Sequence, residues 1–182
     1  MLNKDGLIYK KIDSLIVVSK NVSYPDSLRS SYLSEAYNDI EQLINDSLKT
    51  KSYIRIAYFN LVLGNLDKFG EISKKTLQIS TITKDTVNLA RVYSDLGYYY
   101  RQKYIYDSSY YFFNKANKIY KALNKKLLEG RMLLSMSTVQ SDGRDYIGAE
   151  INAVKALSKL QGSDEYETLY LCYNTLGFVE NQ

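Results

Sequence analysis

The chain contains no histidine and no tryptophan, and only one cysteine and one proline in 182 residues. Each scarcity removes a class of chemistry. Without histidine there is no Ser-His-Asp or Cys-His nucleophile system, no imidazole acid–base catalyst, no His-containing zinc site and no phospho-accepting histidine. Cys172 is alone, so neither an intrachain disulfide nor a Cys-x-x-Cys site can form. It stands between Leu171 and Tyr173 in a helical pattern, where a packed thiol is the expected state. No GxGxxG or P-loop pattern occurs. Asp142-Gly143 lacks the other oxygen ligands of a calcium loop and reads as a turn. Asp164 and Glu165 fall beside a helix start, not in a recognisable cleft. The expectation is a protein that is not an enzyme and that has no catalytic residues, metal or cofactor.

Long hydrophobic runs are also missing. Nothing approaches the roughly 20 apolar residues of a membrane span. Leu15 to Val18 is too short for a signal-peptide core. The expected setting is a soluble domain, cytoplasmic or periplasmic. A single proline, Pro25, leaves room for long helices. Charge is mild: 24 basic and 20 acidic residues give +4. The charges are interspersed, without a basic block, which argues against nucleic acid. Tyrosine is abundant, at 19 residues. It fits either codon bias with tyrosines packed at core rims or a tyrosine-lined binding surface.

What the chain does have is an internal repeat. Leu96-Gly97 returns 80 residues later as Leu176-Gly177, with Ile56-Ala57 and Met136-Ser137 completing a period of 40. One column is large and apolar: Ile56, Leu96, Met136, Leu176. The next is small: Ala57, Gly97, Ser137, Gly177. Three residues before the large column stand Tyr53, Tyr93, Leu133 and Tyr173. The second half of the unit repeats through Leu66, Tyr106 and Tyr146, through Ser73, Phe113 and Ala153, and through Thr76, Ala116 and Ala156. Small residues in register are what close helix crossings require, and a helix pair must stack on neighbours to bury its apolar stripe.

Leu89, Val92, Tyr93, Leu96, Tyr99 and Tyr100 follow the amphipathic helix pattern. Asp107-Ser108-Ser109 offers an N-cap to a second helix carrying Tyr110, Phe113, Ala116, Ile119, Tyr120 and Leu123 on one side. Asp67 and Asp145 are placed to open the matching helices. Asp164 with Glu167 approximates a capping box. Gly64, Gly143 and Gly162 fall at turns. Leu2 to Ser19 and Leu28 to Leu43 form a further helix pair, with Leu33 and Ala36 lying 40 residues before Ser73 and Thr76.

These residues resemble the tetratricopeptide repeat family. Residues 90–123 carry the likeness through Tyr93, Leu96, Gly97, Tyr100, Tyr106, Asp107, Ser109, Phe113 and Ala116, with serine at 109 where the family has alanine. Residues 130–157 match through Leu133, Met136, Ser137, Tyr146, Ala149 and Ala156. Residues 50–77 match through Tyr53, Ile56, Ala57, Gly64, Leu66 and Asp67, and residues 170–182 match the first helix only. The period is 40, not the family's usual length of about 34.

The resemblance implies an all-α fold, a right-handed superhelical solenoid of antiparallel helix pairs. It divides the chain into a degenerate pair at 1–49, repeats at 50–89, 90–129 and 130–169, and a lone first helix at 170–182. Longer repeats, and the segments Asp13-Ser-Leu-Ile16 and Tyr24-Pro-Asp-Ser-Leu28, are similar to the sensory regions of bacterial signalling regulators, which precede a histidine kinase or a helix-turn-helix. On that reading the chain, ending at Gln182, is a fragment of a longer protein.

In this family the first helices line a concave groove that binds peptides. Carried over, the groove residues are Lys51, Ile54, Tyr58 and Leu61, then Arg91, Ser94, Tyr98, Arg101 and Gln102. Arg131, Leu134, Thr138 and Ser141 follow, then Leu171, Asn174 and Phe178. Of these, Lys51, Tyr58, Arg91, Tyr98, Arg101, Arg131, Asn174 and Phe178 are the candidate partner-binding residues. Lys51, Arg91 and Arg131 form a basic column. It reads either as affinity for a peptide with acidic groups or as a solvated face paired to local acids. Ile54 and Tyr58 stand where a chaperone-tail clamp has lysine and asparagine, so that ligand is not expected. The expected partner is a protein or peptide. A homodimer or neighbouring domain through the last helix is the alternative, as in a scaffold.

Overall fold

The computed structural model describes residues 4–83 and 85–180. Leu2 and Gln182, named above, lie outside them. The described residues form helices and no strands. The helices are α1 (Lys4–Ser19), α2 (Asp26–Ile40), α3 (Asp46–Val62), α4 (Leu66–Thr83), α5 (Thr86–Gln102), α6 (Tyr106–Ala122), α7 (Lys126–Asp142), α8 (Tyr146–Leu160) and α9 (Tyr166–Val179). From α2 onward each helix starts 20 residues after the last, at 26, 46, 66, 86, 106, 126, 146 and 166. The period of 40 read from the columns is therefore two helices of equal step. The fold is an all-α helical repeat.

The cadence is set by the turns. Gly64, Tyr104 and Arg144 occupy the same place after α3, α5 and α7, and all three are left-handed, with φ of 78°, 58° and 65°. Two backbone hydrogen bonds close each turn. In the first, Gly64 N donates to Leu61 O and Asn65 N to Asn60 O; in the third, Arg144 N donates to Ser141 O and Asp145 N to Gln140 O. This is the helix-ending geometry that usually selects glycine. Only Gly64 obeys that preference. Gly143, expected at the turn, instead caps α7 with φ −85°, one residue before the left-handed position.

Helix starts depart from the sequence reading in three places, the first being Asp67, which lies in the first turn of α4 and not ahead of it. Asp107 does not cap α6. The helix begins at Tyr106 with Ile105 as N-cap, so Asp107 sits in the first turn, where it favours the helix dipole. Asp164 and Glu167 do not form a capping box either, because the N-cap of α9 is Glu165. Asp145 does cap α8, its carboxylate accepting from Gly148 N at 3.0 Å. Asn45 does the same for α3 through Leu48 N, a cap the periodicity did not suggest.

Two compact units, residues 1–92 and 93–182, divide the chain within α5. In the first unit α1 packs on α2 and α3, and α3 packs on α2 and α4. Its core is Ile12, Ile16, Leu33, Ala36, Ile40, Tyr53, Ile56, Ala57, Phe69 and Ile72. Ionic contacts tie α1 in: Lys11 bridges Glu35 and Asp39, and Asp13 meets Arg55 at 2.6 Å. Lys75 of α4 pairs with Glu41 and lies over the rings of Tyr37 and Tyr53, while Tyr53 donates to the same Glu41 carboxylate. The hydrogen bond from Lys75, helped by that from Tyr53, holds the Glu41 carboxyl below the usual range. For Lys75, burial pulls its pKa down, but hydrogen bonds to Glu41, Tyr37 and Tyr53 outweigh it and raise the ammonium above its ordinary value.

In the second unit α7 packs on α6, α8 and α9. The pair α7/α8 is antiparallel, since Ser137 meets Ala149 while Gly130, nearer the start of α7, faces Leu160 at the end of α8. Gly97 and Ser137 of the small column sit at the crossings of this unit. At Gly97 an added Cβ would lie 2.6 Å from the Phe113 ring, so no side chain fits. Ser109 Oγ then donates to Gly97 O at 2.7 Å. One repeat later the arrangement is mirrored: Ser137 Oγ donates to Ala149 O at 2.6 Å. A glycine opposite serine becomes a serine opposite alanine. This explains why residue 109 is serine and not the expected alanine.

Two outcomes follow for folding. Gly97→Leu overpacks its crossing and costs about 1–3 kcal/mol or more, while Ser109→Ala loses a buried hydrogen bond worth about 1 kcal/mol; urea denaturation checks both. For the first unit, the depressed Glu41 pKa means its contribution is present above the ordinary carboxylate range and lost as pH falls through the folded value. The raised Lys75 pKa gives a contribution present below the ordinary lysine value and lost as pH rises through the folded one. Both side chains are more than a third exposed, so Lys75→Met costs at most about 1 kcal/mol. Thermal melts of that variant against pH should show a flattened loss at both extremes.

Candidate functional site

The three first helices of the second unit, α5, α7 and α9, line a concavity of about 350 Å³ formed by Arg101, Leu134, Thr138, Ser141, Leu171, Asn174, Thr175 and Phe178. Its floor is apolar: Leu134, Leu171 and Phe178. Phe178 is half-exposed, its ring edge-on to Tyr146 at 6.4 Å. The hydroxyls of Thr138 and Thr175 donate back to Leu134 O and Leu171 O of their own helices, at 2.9 and 2.8 Å. Their protons are thus used within the helices, and the hydroxyl oxygens are left to act as acceptors. The carboxamide of Asn174 is exposed and has no hydrogen-bond partner among the described residues. It offers one donor pair and one acceptor at the concavity's edge.

Arg101 is held at the rim by Asp142, with Nε donating to Oδ2 at 2.7 Å. Its charge is therefore offset before any ligand arrives. Arg131 is held in the same way by Glu165, through Nε at 3.1 Å and a second guanidinium nitrogen at 2.6 Å. The hydrogen bond from Arg131 is the largest cause of the lowered Glu165 pKa, with its charge adding to it and burial opposing. Arg131 does not line the concavity of Asn174 and Phe178. It belongs to a second hollow of about 410 Å³ with Asn124, Lys125, Lys126, Leu127, Leu128 and Glu165.

Of the remaining candidates, Tyr98 lies in the second unit, about a third exposed. Lys51, Tyr58 and Arg91 belong to the first unit. Lys51 and Arg91 are exposed and make no ion pair among the described residues. Tyr58 is half-exposed, edge-on to Phe59 at 5.2 Å. Ile54, expected in the groove, is 3% exposed and belongs to the core. The basic column is thus mixed: Arg131 is neutralised by a local acid and Lys51 and Arg91 are solvated. Sequence reasoning missed Asp142 and Glu165, the acids that orient the two arginines. The available signal was an acidic residue 41 positions after Arg101 and 34 after Arg131, within reach of the next repeat.

Cys172 is fully buried against Leu133, Leu134, Ala156 and Leu160, and burial pushes its thiol pKa up. It is a packing residue on the hidden side of α9. Among the described residues no group of histidine, cysteine or acidic side chains could hold a metal ion. No helix among them is long and apolar enough to cross a membrane.

No family model matches the chain, and no curated protein matches it in sequence. Solved structures do match its fold. The crystal structure of BtubC (BKLC) from P. vanneervenii aligns with a TM-score of 0.75 at 16% identity, over 96% of this chain and 83% of BtubC. The apo form of RapI aligns with a TM-score of 0.74 at 15% identity, over 99% of this chain. The chain spans 61% of the length of RapI. At these identities the likeness carries the helical-repeat fold alone.

Proposed function

We propose that this chain is a non-catalytic, tetratricopeptide-type module that binds an extended segment of a partner protein along its first-helix face. In this reading it serves as the partner-sensing part of a bacterial signalling regulator. The observation that carries the reading is the concavity of α5, α7 and α9, with an apolar floor and an unengaged carboxamide at its edge. An extended peptide has unpaired backbone N–H and C=O groups, and a carboxamide can serve both at once. Leu134, Leu171 and Phe178 suit an apolar anchor side chain. The offset charge on Arg101 favours a neutral or weakly acidic segment over a strongly acidic one. The repeat columns support the tetratricopeptide assignment, and the lack of any histidine, with the thiol buried, supports the absence of catalysis. The signalling role rests on the resemblance of the longer repeats to sensory regions.

The test is affinity capture from native cell extract, read by mass spectrometry, with wild type against Asn174→Ala combined with Phe178→Ala. Both residues are exposed, so the variant should melt near wild type. Loss of a specific partner by tenfold or more in the variant is the expected result. Equal capture by both proteins would remove the concavity as the binding site.

A further inference from the structure

A further hollow of the second unit, of about 380 Å³, lies between α6 and α8 over a different face of α7 from the groove. Its α6 wall is Tyr110, Asn114, Asn117 and Lys121, at i, i+4, i+7 and i+11, one stripe of the helix. That stripe is about 16 Å long. The α8 wall is Asn152, Lys155 and Lys159, at i, i+3 and i+7. Buried Leu133 and Met136 supply an apolar floor. Both walls run from amides to lysines. α6 ends where α7 begins, and Lys159, near the end of α8, meets Glu129 near that same beginning. The lysines of the two walls therefore gather at one end, and the tyrosine and amides at the other.

Few of these polar groups are engaged. Glu129 is the one acid lining the hollow; it is buried, and Lys159 offsets its charge at 3.0 Å. Lys121 and Lys155 are exposed and make no ion pair among the described residues. The carboxamides of Asn114 and Asn117 have no hydrogen-bond partner among those residues, and Oδ1 of Asn117 is shielded from solvent as well. Such an acceptor is costly unless a donor reaches it. Asn152 gives an amide hydrogen to Gln140, which leaves its oxygen to accept.

Three properties fix the class of ligand. The volume is that of a small-molecule site with a few converging polar groups. Two uncommitted ammonium groups at one end match a dianion, and lysine, a point charge, suits phosphate, whereas planar carboxylates favour arginine. At the other end, carboxamides beside a tyrosine ring suit a flat heterocycle, because asparagine pairs with base edges and aromatic rings stack on base faces. A phosphorylated protein segment would satisfy the lysines but bring no flat ring to the amide end.

We propose that this hollow binds a nucleoside monophosphate, with its phosphate at Lys121 and Lys155 and its base against Tyr110, the edge read by Asn114 and Asn117. The site shares α7 with the groove but none of the groove's lining residues.

The test is isothermal titration calorimetry of the purified chain with adenosine, guanosine, cytidine and uridine 5′-monophosphates. The matching nucleosides, inorganic phosphate and a phosphoserine peptide serve as comparisons. At least one mononucleotide should bind with a Kd of about 100 µM or tighter, and its nucleoside and inorganic phosphate at least about tenfold more weakly. Lys121→Gln with Lys155→Gln should erase the advantage of nucleotide over nucleoside without lowering the melting temperature, since both side chains are exposed. Asn114→Ala with Asn117→Leu should reduce nucleotide binding to the level of inorganic phosphate, and Asn174→Ala should leave it unchanged. If the asparagine variant does not fold, the lysine variant decides. The proposal is overturned if no mononucleotide binds, if the lysine variant keeps full affinity, or if inorganic phosphate or the phosphopeptide binds as tightly as the nucleotide.

Discussion

The close crossing inside the helix pairs α5/α6 and α7/α8 is the constraint on which the second unit depends. Where Gly97 meets Phe113 there is no space for a single added carbon. One buried serine hydrogen bond spans the crossing, from Ser109 in one repeat and from Ser137 in the next. Such a contact fixes how far apart and at what offset two helices lie, because protein interiors are packed to the density of crystals. In the second unit, with the crossing fixed and the turns closed by the same hydrogen bonds, each pair presents its first helix at the same phase. The groove residues Leu134, Leu171 and Phe178 share a surface because their helices are held in that phase.

Electrostatics act at the rim and not at the foundation. Arg101 with Asp142 and Arg131 with Glu165 are partly exposed pairs, of the kind that adds little stability. Their effect is positional. A guanidinium held by a carboxylate keeps its remaining N–H donors pointed in a fixed direction and loses its long-range pull on acidic ligands. The concavity therefore selects by shape and hydrogen bonding more than by charge.

Much of the fold was legible because the repeat samples each structural role several times. Ile56, Leu96 and Met136 identify a buried position together, where one residue alone would be ambiguous. The same redundancy placed Arg101, Leu134, Thr138, Ser141, Leu171, Asn174 and Phe178 on one face. What escaped was local or pairwise. Tyr104 and Arg144 take left-handed backbone without being glycine, since the turn's own hydrogen bonds compensate. Asp107 lost its cap because α6 starts at Tyr106, two residues earlier than a cap at Asp107 requires. Ile54 was assigned to the groove by register, yet it is core, because register gives direction and not depth. The acids that hold the two arginines come from other helices, and no periodicity within one repeat reveals them.

The size relation at the crossing is open to a direct measurement. Gly97→Ser should be made alone and together with Phe113→Ala, which imitates the Ser137 and Ala153 combination of the next repeat. Stability would be taken from urea denaturation of all four proteins in the cycle. The account predicts a cost of about 1–3 kcal/mol for Gly97→Ser in the wild-type background. It also predicts a much smaller cost once Phe113 is alanine, with a coupling of at least about 1 kcal/mol. If the two substitutions simply add, the ring of Phe113 does not set the close approach, and the packing account of the repeat is wrong.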